Sequence, residues 1–158
     1  MRFIVRQKYF AIRDGFYIKN EMGQDVYYVQ GKLFSFGKKL YLRNAMGQEL
    51  FIKQRLFRIR PRFDFYVNDE RIAVVKRRLF PIFMKRYKIN TEDFGKLKIK
   101  GNIIAWKFSI ESEDGVLATV NKKFTVNDIY EVDIFNKNFE ALGLGIAVML
   151  DAIHHKGH

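Results

Sequence analysis

Apolar and polar positions alternate in short bursts along most of this 158-residue chain, and the bursts recur. Four units read "GQDVYYVQGKLF", "GQELFIKQRLF", "DERIAVVKRRLF" and "DGVLATVNKKF", closing on Phe34, Phe57, Phe80 and Phe124 at spacings of 23, 23 and 44 residues. Each opens on a turn rich in Gly, Asp or Asn, alternates to a polar or basic knot, and ends on an aromatic. Further β-rich segments follow, such as "RIRPRFDFYV", "PIFMKRYKI" and "TVNDIYEVDI". Turn chemistry at Asp14-Gly15, Met22-Gly23, Met46-Gly47, Asn68-Asp69 and Asp114-Gly115 separates the runs. Alternation with period two, bounded by such turns, predicts a string of β-hairpins. A 23-residue period also suits a leucine-rich solenoid, but the asparagine and leucine ladder of that class is missing. About a dozen short strands are expected between residues 1 and 136, more than a strongly twisted open sheet carries comfortably. Closure into a barrel removes the exposed edges.

The pattern changes at Phe139. In "FEALGLGIAVMLDAIHH", residues 139–155, nothing from Ala141 to Leu150 is charged and the apolar positions lie all round a helix. Such a helix is buried on every side, and Asn138 is placed to cap it. Seventeen residues reach roughly 25 Å, short of the ~30 Å hydrocarbon core of a bilayer, and Glu140 and Asp151 shorten the apolar part further. No transmembrane segment is therefore expected. A barrel of about twelve strands is too wide to be filled by its own side chains; the helix would fill it. The predicted fold is mainly β, one domain over residues 1–158: a closed antiparallel barrel of about twelve strands enclosing a central apolar C-terminal helix. Gly143 and Gly145 each weaken a helix by about 1 kcal/mol relative to Ala, which fits a close approach of strands. Glu140 agrees with the helix dipole and Asp151 opposes it. Asp151 either has a cationic or hydrogen-bonding partner or emerges into solvent at the helix end.

Composition supports strands, with 16 Phe and 8 Tyr against 2 Pro. The absence of Cys excludes disulfides, thiolate metal sites and a cysteine nucleophile. The opening "MRFIVRQKYF" is broken by Arg2, Arg6 and Lys8 and lacks the apolar core of a signal peptide, so a cytoplasmic protein is expected. Charge changes the picture most. The net charge is +12, but residues 1–110 carry 25 Lys+Arg and 9 Asp+Glu, whereas residues 111–158 carry 4 and 8. One basic surface then meets an anionic partner, or the charge serves solubility.

The basic hairpin repeats, the "VKRRLF" and "VNKKF" knots at residues 75–80 and 120–124, and the closing "NDIYEVDIFNKNFEALGLGIAVMLDAI" resemble the LURP-one-related family, in particular its small bacterial YxjI-like members. The resemblance spans essentially the whole chain. It implies kinship in fold with the tubby C-terminal domain and the phospholipid scramblases, and hence a twelve-stranded barrel around a hydrophobic C-terminal helix. Tubby domains bind phosphoinositides through a basic groove and scramblases act at membranes. No tubby lipid-binding motif aligns onto this chain residue by residue, so the resemblance carries over no site.

Candidate catalytic chemistry is sparse. Ser occurs only at 35, 109 and 112, none in a nucleophile elbow. No zinc-protease, P-loop or dinucleotide fingerprint occurs, and "GLG" at 143–145 falls inside the apolar helix. His154 and His158 stand four apart as a metal pair would, but a frayed tail is the favoured reading. Asp128, Glu131 and Asp133 form an acidic cluster that reads better as the solvated face of a strand than as a cation site. No enzyme, cofactor or metal is expected.

The basic stripes are the candidate anion-binding residues. Arg58, Arg60 and Arg62 alternate with Phe57, Ile59, Pro61 and Phe63, which as a strand sets three guanidinium groups on one face. Lys96, Lys98 and Lys100 repeat the pattern; Lys76, Arg77, Arg78, Lys85, Arg86 and Lys88 add to it, with no carboxylate between Glu70 and Glu92. Rows of such donors suit phosphates, although charged residues also serve simply as the outer face of a barrel. The stripes converge only if their strands are neighbours. The expected function is a non-enzymatic binding module presenting a basic surface to anionic phospholipid or another polyphosphate, peripheral to the membrane. An acidic protein is a further candidate partner. Nucleic acid is less favoured, because the aromatics alternate inward with none spare for stacking. The alternative is a protein-interaction scaffold with no lipid or nucleic-acid ligand.

Overall fold

In the computed structural model, which describes residues 1–6, 15–32, 37–56, 59–78, 87–123 and 129–154, the chain is a closed twelve-stranded antiparallel barrel. Strands β1 (Arg2–Arg6), β2 (Phe16–Asn20), β3 (Asp25–Lys32), β4 (Lys39–Asn44), β5 (Glu49–Arg55) and β6 (Arg62–Val67) form its first half. Strands β7 (Glu70–Arg77), β8 (Tyr87–Thr91), β9 (Gly95–Asn102), β10 (Lys107–Ser112), β11 (Gly115–Lys123) and β12 (Ile129–Ile134) complete it. Each strand pairs with its sequence neighbour, and β12 closes the barrel on β1 through Phe3 opposite Val132. Up-and-down order follows from hairpin turns, which join only adjacent antiparallel strands.

The turns after β2 and β4 share one construction, and the repeat explains why. In "NEMGQ" the Asn20 side chain accepts from the backbone of Met22 and Gln24 at 3.0 Å each. In "NAMGQ" Asn44 does the same with Met46 and Gln48, at 3.0 and 2.9 Å. The following Gly23 and Gly47 take positive φ, which glycine adopts without strain.

Period-two alternation sends Leu40, Leu42, Leu50, Ile52, Phe63, Phe65, Val75 and Ile89 inward, all nearly inaccessible. They close on helix α1 (Glu140–His154), whose residues Leu142 to Asp151 are all buried. The helix is the core of the barrel, as its apolar circumference predicts, and Ala147 and Leu150 have no exposure. A Cβ on Gly143 would lie 2.9 Å from Ile134 Cδ1, and one on Gly145 2.6 Å from Leu50 Cδ2. Glycine thus lets the helix seat against the wall, offsetting its low helix propensity. Both helix ends are tied to the barrel. The Tyr27 hydroxyl donates to Glu140 at 2.6 Å, and Lys38 Nζ donates to the Ala152 carbonyl at 3.1 Å.

Several boundaries differ from the sequence reading. The cap is Asn136 rather than Asn138: Asn136 Oδ1 accepts from Asn138 N at 3.0 Å and starts a 3-10 turn, Lys137–Phe139, ahead of the helix. Asp151 does not emerge into solvent but is 5% exposed, and its charge, second to burial, helps push the Tyr130 hydroxyl titration upward. His154 belongs to the last helical turn, with Nε2 2.5 Å from the Tyr87 hydroxyl, rather than to a frayed tail; His158 lies outside the described residues. Burial pushes Tyr87 up to about 12.

Candidate functional site

Strand register decides where the basic residues go. Across β5, β6, β7 and β8, Arg55 stands opposite Arg62, Arg62 opposite Lys76, and Lys76 opposite Lys88. Their neighbours Phe63, Val75 and Ile89 point inward, so all four cations point out, at successive steps of about 4.8 Å. A second row, Lys32 opposite Lys39 opposite Lys53, lies on β3 to β5. The strands that carry Lys76, Lys88 and Lys96 adjoin: β7, β8 and β9 are neighbours, and Asn90 pairs with Lys96. The pairing of β8 with β9 ends at Ile89 and Leu97, and beside it lies a groove of about 930 Å³ lined by Arg78, Lys88, Lys96, Lys98, Lys100 and Ile104 among others. A smaller hollow of about 290 Å³ lies beside it, bordered by Arg62, Arg71 and Lys76.

Beneath the ladder sits a carboxylate that the sequence reading overlooked. Asp64 faces outward on β6 yet has no exposure. Arg55 Nε and Arg62 Nε donate to it at 2.8 Å each, Tyr66 OH donates at 3.3 Å, and Arg71 Nη1 stands 3.9 Å away. Burial pushes the Asp64 carboxyl up, but hydrogen bonds and charge from Arg62 and Arg55 outweigh it and hold it below the usual carboxylate range. One buried anion thus organises three arginines. The signal was present in "RFDF", where alternation puts Asp64 on the face of Arg62.

Like charges directly opposite each other in a sheet are destabilising by roughly 0.2–1 kcal/mol per pair. Asp64 relieves the Arg55–Arg62 step and part of the next. Nothing comparable serves Lys76 and Lys88, which have no ion-pair partner among the described residues. Lys98 also has no ion pair among the described residues, but Glu111, bound to Lys100 at 2.7 Å, stands directly opposite it on β10.

Of the three arginines expected to share a strand face at 58, 60 and 62, only Arg62 stands in a strand among the described residues. Strand β6 begins at Arg62; Ile59 and Arg60 lie in a bend, and Pro61, without an N–H, accepts from Arg77 N at 3.0 Å through its carbonyl. Arg62 is engaged by Asp64. Arg58, Lys85 and Arg86 lie outside the described residues, while Lys76 and Arg77 close β7 and Arg78 follows it. Nor is the acidic cluster a solvated face. Glu131 is 9% exposed and held by Lys123 at 2.7 Å, Asp133 is held by Arg2 at 2.8 Å, and Asp128 lies outside the described residues. Among the described residues no three His, Asp or Glu side chains are placed to hold a metal.

The aromatics are not all inward either. Tyr41, Phe51 and Tyr66 stand opposite one another on the outer face of β4 to β6, with Tyr41 and Phe51 stacked at 4.9 Å and Phe51 and Tyr66 at 6.0 Å. They cover each other instead of offering free faces.

A closed twelve-stranded antiparallel barrel threaded by its C-terminal helix defines the fold class, and it is consistent with the tubby-like superfamily. Within it, the chain belongs to the LURP-one-related family, whose profile matches residues 1–151. The X-ray structure of a protein from Arabidopsis thaliana is similar over 98% of this chain and 90% of its own, with a TM-score of 0.67 and 15% identity; at that identity the likeness speaks for the fold alone. No curated protein matches the sequence. The family is not a known enzyme family, and no helix among the described residues is long and apolar enough to cross a membrane.

Proposed function

We propose that this protein is a non-enzymatic binding module whose basic barrel wall docks on anionic phospholipid headgroups, as a peripheral partner of the membrane on its cytoplasmic side. The observation that carries the reading is the register that sets Arg62, Lys76 and Lys88 side by side on adjoining strands. Such a wall repels itself until an anion arrives, so phosphate binding relieves a strain already present. The groove beside β8 and β9 adds ammonium groups at Lys88, Lys96 and Lys98 around a hollow large enough for a headgroup. Three arginines held by one carboxylate fix the neighbouring side chains, lowering the ordering entropy that a ligand must supply.

The test is co-sedimentation of the protein with neutral and phosphatidylserine-containing vesicles at two salt concentrations, alongside a duplex oligonucleotide. The reading expects binding to the anionic vesicles alone among lipids, weakening steeply with salt. Indifference to anionic vesicles at low salt, or tighter binding to the oligonucleotide than to lipid, overturns it; binding to neither leaves a protein-interaction scaffold in its place.

A further inference from the structure

The charges are sorted along the barrel axis. The tight turns after β2, β4, β6, β8 and β10, the chain start and the entrance to the helix all lie at one end. Twelve of the seventeen Asp and Glu fall in or within two residues of those turns and the helix entrance, against six Lys and Arg, with Arg2 counted beside Asp133. The remaining described residues hold seventeen Lys and Arg and three carboxylates, Asp64, Glu131 and Asp151, all buried. Away from the turn end, the described surface is therefore cationic only.

Ile59 and Ile104 are the most exposed large apolar side chains at that cationic end, ahead of Tyr17 and Leu56. Ile59, in the bend between β5 and β6, is 90% exposed, and Ile104, between β9 and β10, is 64% exposed. Both connections lie at the end opposite the tight turns, because β5 and β9 each run away from a tight turn. They bracket the ladder: Ile59 adjoins β5 and β6, where it begins, and Ile104 lines the groove that receives Lys88 and Lys98. Arg60 flanks the first, and Lys100 and Lys107 the second. A bulky β-branched side chain held in water at a loop tip stabilises nothing in the fold. Framed by cations, it suits the boundary of an anionic bilayer, where headgroups meet the charges and the acyl region takes the apolar group.

We infer that the protein docks end-on to an anionic membrane, inserting Ile59 and Ile104 below the headgroups while its acidic turn end points away. The inference rests on the lipid-binding reading and adds an orientation and an apolar anchor to it. Each isoleucine half-buried in the acyl boundary contributes about four- to fivefold in partitioning, so the pair contributes about twentyfold. Charge repulsion keeps the turn end off the surface, and the exposed Met22 and Met46 there take no part.

The experiment compares partitioning onto phosphatidylserine-containing vesicles for wild type, Ile59→Ser with Ile104→Ser, and Met22→Ser with Met46→Ser. Ile59→Trp adds a depth probe, since the native Trp106 is buried and stacked on Tyr130. The inference expects roughly twentyfold weaker binding for the isoleucine pair, unchanged binding for the methionine pair, and a blue shift of the Ile59→Trp emission on anionic vesicles. Salt-sensitive binding that both pairs retain in full, with no blue shift, overturns the insertion and leaves the lipid-binding reading standing. A wild type that captures soluble inositol polyphosphate but no vesicle overturns both.

Discussion

Replacing Asp64 by Asn removes one negative charge while keeping shape, and the structure sets the size of the effect. The carboxylate has no exposure, and its neutral replacement turns an amide N–H₂ toward guanidinium groups that now lack a counter-ion. Breaking one partner of a buried pair costs ~3–5 kcal/mol. Here the figure is smaller, because the Arg55 and Arg71 side chains are 40% and 50% exposed and water takes over their solvation. Arg62, at 18%, is the one left stranded, beside Lys76. A loss of about 2 kcal/mol follows, or a fall in Tm of roughly 4–8 °C for a chain of this length. Thermal unfolding followed by circular dichroism measures it, with Asp69→Asn in an exposed turn as the control. The pH dependence has a definite sign. The folded Asp64 titrates below its ordinary value of 3.8, so its contribution is complete above that value and is lost as pH falls through the lower, folded one. The Tm gap between wild type and variant should be flat from pH 5 to 8 and close only in stronger acid. A gap under about 1 °C at pH 7, or one that closes near pH 6, would refute the reasoning.

The helix seat predicts coupling between Gly145 and Leu50. Gly145→Ala should destabilise by roughly 1–3 kcal/mol through the 2.6 Å approach to Leu50 Cδ2, and Leu50→Ala combined with it should cost less than the sum of the two single changes, read from denaturant melts. Gly101→Ala meets backbone instead: at φ +114° its Cβ would lie 2.5 Å from the Lys107 carbonyl, so roughly 2 kcal/mol or more is lost, and no side-chain truncation nearby rescues it. Val148→Lys places an unpaired charge in the dry core and should yield no cooperatively melting protein.

The fold was legible because two periodicities differ so sharply. Alternation around fixed turn residues specifies hairpins, and a run such as "ALGLGIAVML" has no polar face to leave in water, so only an enclosing wall satisfies it. What the sequence hid is what depends on register. Arg55 and Lys88 are 33 positions apart, yet the pairings through Arg62 and Lys76 put them in one row. Nothing local to either residue announces that. Asp64 was hidden for a related reason: an outward strand position reads as exposed, but two arginines from its own and the preceding strand, and a third nearby on β7, cover it. The stripe at 58, 60 and 62 alternates in sequence as a strand does, yet β6 begins only at Arg62, after Pro61.

Location of charge, rather than its amount, is the central claim, and one comparison isolates it. Lys76→Glu with Lys88→Glu and Lys19→Glu with Lys137→Glu change the net charge equally, the first pair on the ladder and the second at the turn end. Vesicle co-sedimentation at low salt should show the ladder variant losing anionic-lipid binding by tenfold or more while the turn-end variant stays within about twofold of wild type. Equal losses in the two variants would mean that binding follows net charge alone, and would contradict a built basic face.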